Sequence, residues 1–77
     1  MINYEIAAEP VGFIVYAMHE GARLSLVEFA RTTSMDILQV TQLMAKEGGF
    51  KAEPKDALAF FLFEDRAKAF ITTLESM

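Results

Sequence analysis

GFIVYAMHEGARLSLVEF, residues 12–29, is the stretch whose reading decides the fold. As a hairpin, Phe13 to Met18 form one strand, His19 to Ala22 the turn and Arg23 to Phe29 the return. Phe13, Ile14, Val15 and Tyr16 favour that reading, because branched and aromatic side chains suit a pleated surface. Gly21 supplies the positive φ that a tight turn demands. As a helix, the same stretch would start with Pro10 at its first position and stop at Gly21. Gly12 in the first turn, followed by a run of β-formers, weighs against the helix. The hairpin is therefore expected, with strands at 12–18 and 23–29.

Upstream, Ile2, Tyr4 and Ile6 alternate with Asn3 and Glu5, the period-2 pattern of a half-buried strand, here 2–8. Downstream, Ile37, Val40, Thr41 and Met44 recur at helical spacing and predict a helix over 34–46. Thr33 or Ser34 is its expected N-cap, and Asp36 in the first turn meets the positive end of the dipole. Gly48 is placed to take a left-handed cap. GGFKAEPKD reads as a wet loop around Pro54. A strand follows at 57–64, and a last helix at 66–76 is capped by Asp65. Its apolar stripe is Ala67, Phe70, Ile71 and Leu74. The sum is a small single α+β domain, residues 1–77. It has about four mainly antiparallel strands and two helices in the order β-β-β-α-β-α.

The strand at 57–64 poses a further question. Ala57 to Phe63 carry no polar side-chain atom. If both helices cover one face of the sheet, the other face presents Phe61 and Phe63, or the Leu58, Phe60 and Leu62 set. An exposed apolar face of that kind marks an interface. A strand covered on both sides is the alternative. Phe61, Phe63 and Tyr16 are the candidate partner-binding residues, and a homodimer is the expected assembly, since two-fold dimers are the commonest.

Composition bounds the rest. Seventy-seven residues bury a thin core, and hydrophobic residues at 53% suit either an efficient core or self-association. With no cysteine and a single histidine, His19, neither a disulfide nor a structural zinc site is expected. A net charge of −4 works against loose binding to phosphate backbones. The first ten residues lack a secretory pattern and no apolar run spans a bilayer, so the chain reads as cytoplasmic.

The sequence offers no phosphate-cradling glycine loop, no nucleophile elbow and no calcium loop. Glu64 and Asp65 read as a strand end and a helix cap. His19 reads as a turn residue beside Glu20, and Met18, Met35 and Met44 as core fillers. No catalytic residue, cofactor or metal is assigned, and no enzymatic activity is expected.

LVEFARTTSMDILQVTQL, residues 26–43, resembles a helix-turn-helix. Ala30 stands where a small residue lets two helices pack closely, Ser34 at the turn, and Phe29, Met35, Val40 and Leu43 at the apolar anchors. EGGFKA and the strand after it would then form the wing of a winged-helix domain. The resemblance implies duplex DNA as partner, with Ser34, Gln39, Gln42 and Lys46 facing the groove. Ser34 occupies a position where glycine is typical, and the helix carries Asp36 and Glu47 against one base, Lys46. Two functions follow. The first is a small regulatory or inhibitory module that binds itself or a larger protein through an apolar surface. The alternative is a winged helix-turn-helix regulator that binds DNA.

Overall fold

The computed structural model describes residues 3–52 and 58–76. Strands β1 (Asn3–Glu9), β2 (Gly12–His19) and β3 (Ala22–Leu24) come first, then helices α1 (Leu26–Thr32) and α2 (Ile37–Lys46). Strands β4 (Phe50–Ala52) and β5 (Leu58–Phe61) and helix α3 (Glu64–Glu75) complete the chain. The architecture is α+β with an antiparallel sheet, in the order β1-β2-β5-β4. β3 pairs with the last residues of β2, on the flank that β5 occupies further along.

Residues 12–24 form the expected hairpin. Glu20 and Gly21 both take positive φ, 52° and 79°, so the two-residue turn matches the right-handed twist of the strands. The return strand stops at Leu24, not Phe29. Ser25 caps a helix instead: its hydroxyl accepts from the Glu28 N–H while the Glu28 carboxylate accepts from the Ser25 N–H. This reciprocal cap satisfies two orphan donors and commits residues 26–32 to a helix despite their β-formers. The third helix is the main departure from the expected order. β4 is the other, formed within the stretch read as loop.

α2 starts at Ile37, three residues later than expected, and its N-cap is Asp36, which accepts from the Leu38 N–H. α3 starts at Glu64. Phe63 is its N-cap and makes no side-chain cap bond, so Asp65 lies in the first turn, where its charge suits the dipole. β5 ends at Phe61, and residues 62–63 bend into α3. Ala57, the expected start of that strand, and Pro54 lie outside the described residues.

Registers assign the faces. Tyr4, Ala17 and Leu24 share a row, as do Ile6, Val15 and Ala59, and next to them Phe13 and Phe61. This inner face meets all three helices: Val15, Ala17, Ala59 and Phe61 pack with Leu26, Phe29 and Ala30 of α1, Val40 and Met44 of α2, and Ala67, Phe70 and Leu74 of α3. The α3 stripe is as expected. In α2 the first turn departs, since Ile37 is 39% exposed. Phe61 stacks at 5.3 Å on Phe70, and Tyr4 meets Phe29 edge-on at 5.6 Å. Gly49 allows the Phe61 ring and Met44 to close over its backbone, where a Cβ would stand inside van der Waals contact.

Among the described residues the helices therefore lie on one side of the sheet, and the opposite face carries none. It presents Glu5, Ala7, Ile14, Tyr16, Met18, Arg23, Phe50 and Phe60. Ile14 is buried yet lies outside the core cluster, sheltered by its neighbours on this outer face. The question raised by residues 57–63 is answered here. Phe61 points inward with no exposed surface, and Phe60 is the residue that faces out.

Candidate functional site

A four-residue turn, Thr33 to Asp36, joins α1 to α2, and one device ends both helices. At the end of α1 the Met35 N–H donates to the Ala30 carbonyl at 2.8 Å and the Ser34 N–H to the Arg31 carbonyl at 3.3 Å. At the end of α2 the Gly49 N–H donates to the Met44 carbonyl at 2.9 Å and the Gly48 N–H to the Ala45 carbonyl at 3.0 Å. Both are Schellman caps, which need a left-handed residue just past the helix. Gly48 fills that role at φ 80°, as expected, and Ser34 fills it at φ 58°. Serine thus adopts the backbone that glycine holds more cheaply.

Behind the turn, Ala30 is 2% exposed and lets the helices approach. Phe29 and Val40 are buried, and Met35 and Leu43 pack against the core. On the outside of α2, Gln39, Gln42 and Lys46 are exposed and fall at i, i+3 and i+7, on one side of the helix. Leu38, 60% exposed, stands beside them at the N-terminal end. Ser34 is exposed but lies in the turn, off the helix, so its side chain is not part of that row. β4 and β5 follow α2 as an antiparallel pair, and β5 also pairs with β2 inside the sheet.

Charge is distributed unevenly. From Ser25 to Ala52 three acids, Glu28, Asp36 and Glu47, are balanced by Arg31, Lys46 and Lys51. Each acid is engaged: Glu28 and Asp36 cap helices, and Glu47 lies 3.7 Å from Arg66. The three bases are exposed, and among the described residues none stands in an ion pair. The remaining described residues carry six acids and three bases. Among the described residues the acidic excess therefore sits on β1, the β2–β3 turn and α3, outside α1 and α2. Arg31, Lys51 and Leu38 were not singled out from sequence. Arg31 falls just after the segment read as a strand, and Lys51 in the segment read as a loop.

The expected partner-binding residues separate. Phe61 is core and unavailable to a partner; the alternation of an all-apolar strand does not say which set points in. Phe63 is 65% exposed where the chain bends into α3. Tyr16 is half-buried on the outer sheet face, with the Arg23 guanidinium 4.8 Å above its ring and paired to Glu5. Phe60 and Phe50 stack on that face at 5.1 Å. The Phe60 ring lies over Gly12, where a Cβ would collide with it.

A cavity of about 10 Å³, lined by core residues including Tyr4, Phe29 and Phe70, has room for about one water. Burial, and secondarily the charge of Glu75, raise the Tyr4 hydroxyl above its ordinary value of 10.0. Among the described residues His19 Nδ1, at the end of β2, is buried without a hydrogen-bond partner. Among the described residues no cluster of three metal-ligating side chains occurs, and no helix is long and apolar enough to cross a membrane. No known protein family, curated protein or solved structure matches this chain.

Proposed function

We propose that this chain is a small regulatory protein that binds duplex DNA through α2, a winged helix-turn-helix reader with no catalysis of its own. The observation that carries the reading is the turn between α1 and α2. Four residues, Thr33 to Asp36, separate the helices, with Ser34 left-handed and the anchors Phe29 and Val40 buried behind it. A turn of that length is the one that sets a second helix across the first for insertion into a major groove.

The chemistry of the exposed row fits the groove. Gln39 and Gln42 offer the amide pair that bonds adenine at N6 and N7, and Leu38 offers an apolar surface to a thymine methyl. Among the described residues Lys46, Arg31 and Lys51 have no acidic partner and would meet phosphates. The overall charge of −4 opposes this less than it suggests, because the helix-turn-helix itself is neutral and its acids are occupied. A cytoplasmic location belongs to the same reading.

The experiment is selection of bound duplexes from a randomised pool, repeated with Gln42→Ala. Enrichment of an A·T-containing site is expected, with the Gln42 variant losing preference at one position and about 1–3 kcal/mol of discrimination there. A pool that shows no enrichment and no binding at 50 mM salt would remove the reading. The other reading, a module acting through an apolar surface, is favoured by the uncovered sheet face.

A further inference from the structure

We infer that the open edge of β1 pairs with the same edge of a second copy of this chain, antiparallel and centred on Ile6. The hairpin fixes which backbone groups that edge presents. The two-residue turn Pro10-Val11 makes Glu9 and Gly12 the closing pair of β1 and β2. A closing pair exchanges both of its hydrogen bonds, and the pattern alternates along an antiparallel ladder. Asn3, Glu5, Ala7 and Glu9 therefore bond to β2, while Tyr4, Ile6 and Ala8 turn their N–H and C=O groups away from it. Among the described residues β1 pairs with β2 alone, so no strand meets those groups.

The two edges of the sheet differ. β4, at the far edge, is three residues long with Lys51 at its centre, a short charged strand of the kind that resists pairing. β1 runs seven residues in unbroken register, with no bulge, no lysine and its nearest proline past its end. Residues 53–57, outside the described ones, connect β4 to β5, and β2 stands between that pair and β1.

The sequence of β1 selects a second copy as the occupant. With two-fold pairing about Ile6, Tyr4 stands opposite the partner's Ala8, Ile6 opposite the partner's Ile6, and Ala8 opposite the partner's Tyr4. Every outward-turned residue of both copies then exchanges hydrogen bonds, and the side chains on the helix-bearing face meet as Ile6 on Ile6 and a tyrosine ring over an alanine. On the other face Glu5 meets the partner's Ala7, and Glu9 meets the partner's Asn3, whose amide donates to the carboxylate. Acids meet only diagonally, roughly 7–8 Å apart, and Arg23 is bound to Glu5 within each copy. Other registers fail. Centring on Glu5 sets Glu5 on Glu5, and centring on Ala7 sets Glu5 on Glu9. Centring on Ala8 brings Pro10, which has no N–H, opposite Ile6, and centring on Tyr4 leaves Ala8 unmatched. The Ile6 register runs from Asn3 to Glu9 and uses described residues throughout. The inference goes beyond the duplex reading and stands on this edge alone.

The test reads mass and amide exchange on the same samples from 10 to 200 µM, without DNA. Light scattering on size exclusion is expected to show the mass rising from 8.6 kDa toward twice that value. Over the same range hydrogen exchange at the Tyr4, Ile6 and Ala8 amides should slow at least several-fold, while Glu5, Ala7 and Glu9, already bonded to β2, change less. Ala8→Pro is the variant. Ala8 is exposed and its N–H faces the open edge, so proline there removes no bond to β2. It is expected to keep the parent's circular dichroism and to run at 8.6 kDa at every concentration. A monomer at 200 µM, or a dimer that Ala8→Pro leaves intact, would overturn the inference. So would edge amides as slow at 10 µM as at 200 µM in a monomer, which would put another part of the same chain on the edge. The alternating exchange pattern of the unmodified chain decides even where proline disturbs the fold.

Discussion

Replacing Ser34 by glycine should stabilise this protein. Ser34 holds φ 58° because the Schellman cap of α1 requires it. An L-residue in that conformation costs roughly 1–2 kcal/mol relative to its preferred wells. Glycine removes that cost but returns about 0.5–1 kcal/mol through the greater freedom of its unfolded chain. The Ser34 side chain is exposed and donates or accepts no hydrogen bond among the described residues, so nothing else is lost. The net expectation is a gain of about 0.5–1 kcal/mol for Ser34→Gly. Ser34→Val should lose about 1 kcal/mol or more, because a branched side chain at positive φ is a true outlier. Urea unfolding followed by circular dichroism reads both. With a slope near 1 kcal/mol/M for a chain this small, the midpoints should move by about +0.5 to +1 M and −1 M. A destabilised glycine variant, or a neutral valine variant, would refute the left-handed turn and with it the helix-turn-helix geometry.

Other substitutions test other elements. Ser25→Ala should cost about 1 kcal/mol by removing the reciprocal cap that starts α1, and a neutral result would argue against a helix there. Phe61→Ala should cost about 3–5 kcal/mol, a large share of the roughly 4–12 kcal/mol available to a 77-residue chain, and sharply lower its melting temperature. Phe50→Ala, at a ring already 45% exposed, should cost about 1 kcal/mol in the monomer; equal losses for the two would reverse the assignment of faces. Tyr4 is raised by burial and by Glu75, so its neutral form is favoured in the folded state. Stability should hold up to about pH 10 and fall as pH rises toward the folded-state value, since the unfolded chain loses that proton first. Tyr4→Phe should remove that alkaline loss, and an unchanged pH profile would contradict the burial.

Much of this was legible in the chain. The period-2 pattern of β1, the positive-φ glycine of the β2–β3 turn, the α3 stripe and the Gly48 cap all follow from local rules that tertiary contacts did not override. The missed helix α1 is instructive. LVEF contains β-formers, and a run of seven residues is too short for periodicity to speak. Its signal was the spacing of Ser25 and Glu28, a capping pair that outweighs propensity. β4 is three residues long and exists because β5 offers it an edge, which no local pattern reports. In the all-apolar β5 the alternation is silent about direction. Phe61 points inward because Phe13 and Val15 fix its register, and because Gly49 makes room for its ring on that side while Gly12 receives Phe60 on the other. The burial of Phe29, Met35, Val40 and Leu43 was readable from spacing, but the separation of Ser34 from the exposed row was not. That depends on Asp36 winning the cap of α2 from residues two and three positions earlier.

Duplex binding across salt concentrations tests the central claim most directly. Three exposed bases, Arg31 on α1, Lys46 on α2 and Lys51 on β4, would give a slope of log K against log salt of about −3 per chain. Between 50 and 200 mM salt, fluorescence anisotropy with a short labelled duplex should therefore show about a 40-fold loss of affinity per chain bound. Lys46→Gln should shallow the slope by about one. Binding with no salt dependence, or no binding at 50 mM, would contradict the reading of α2 as a DNA-contacting helix.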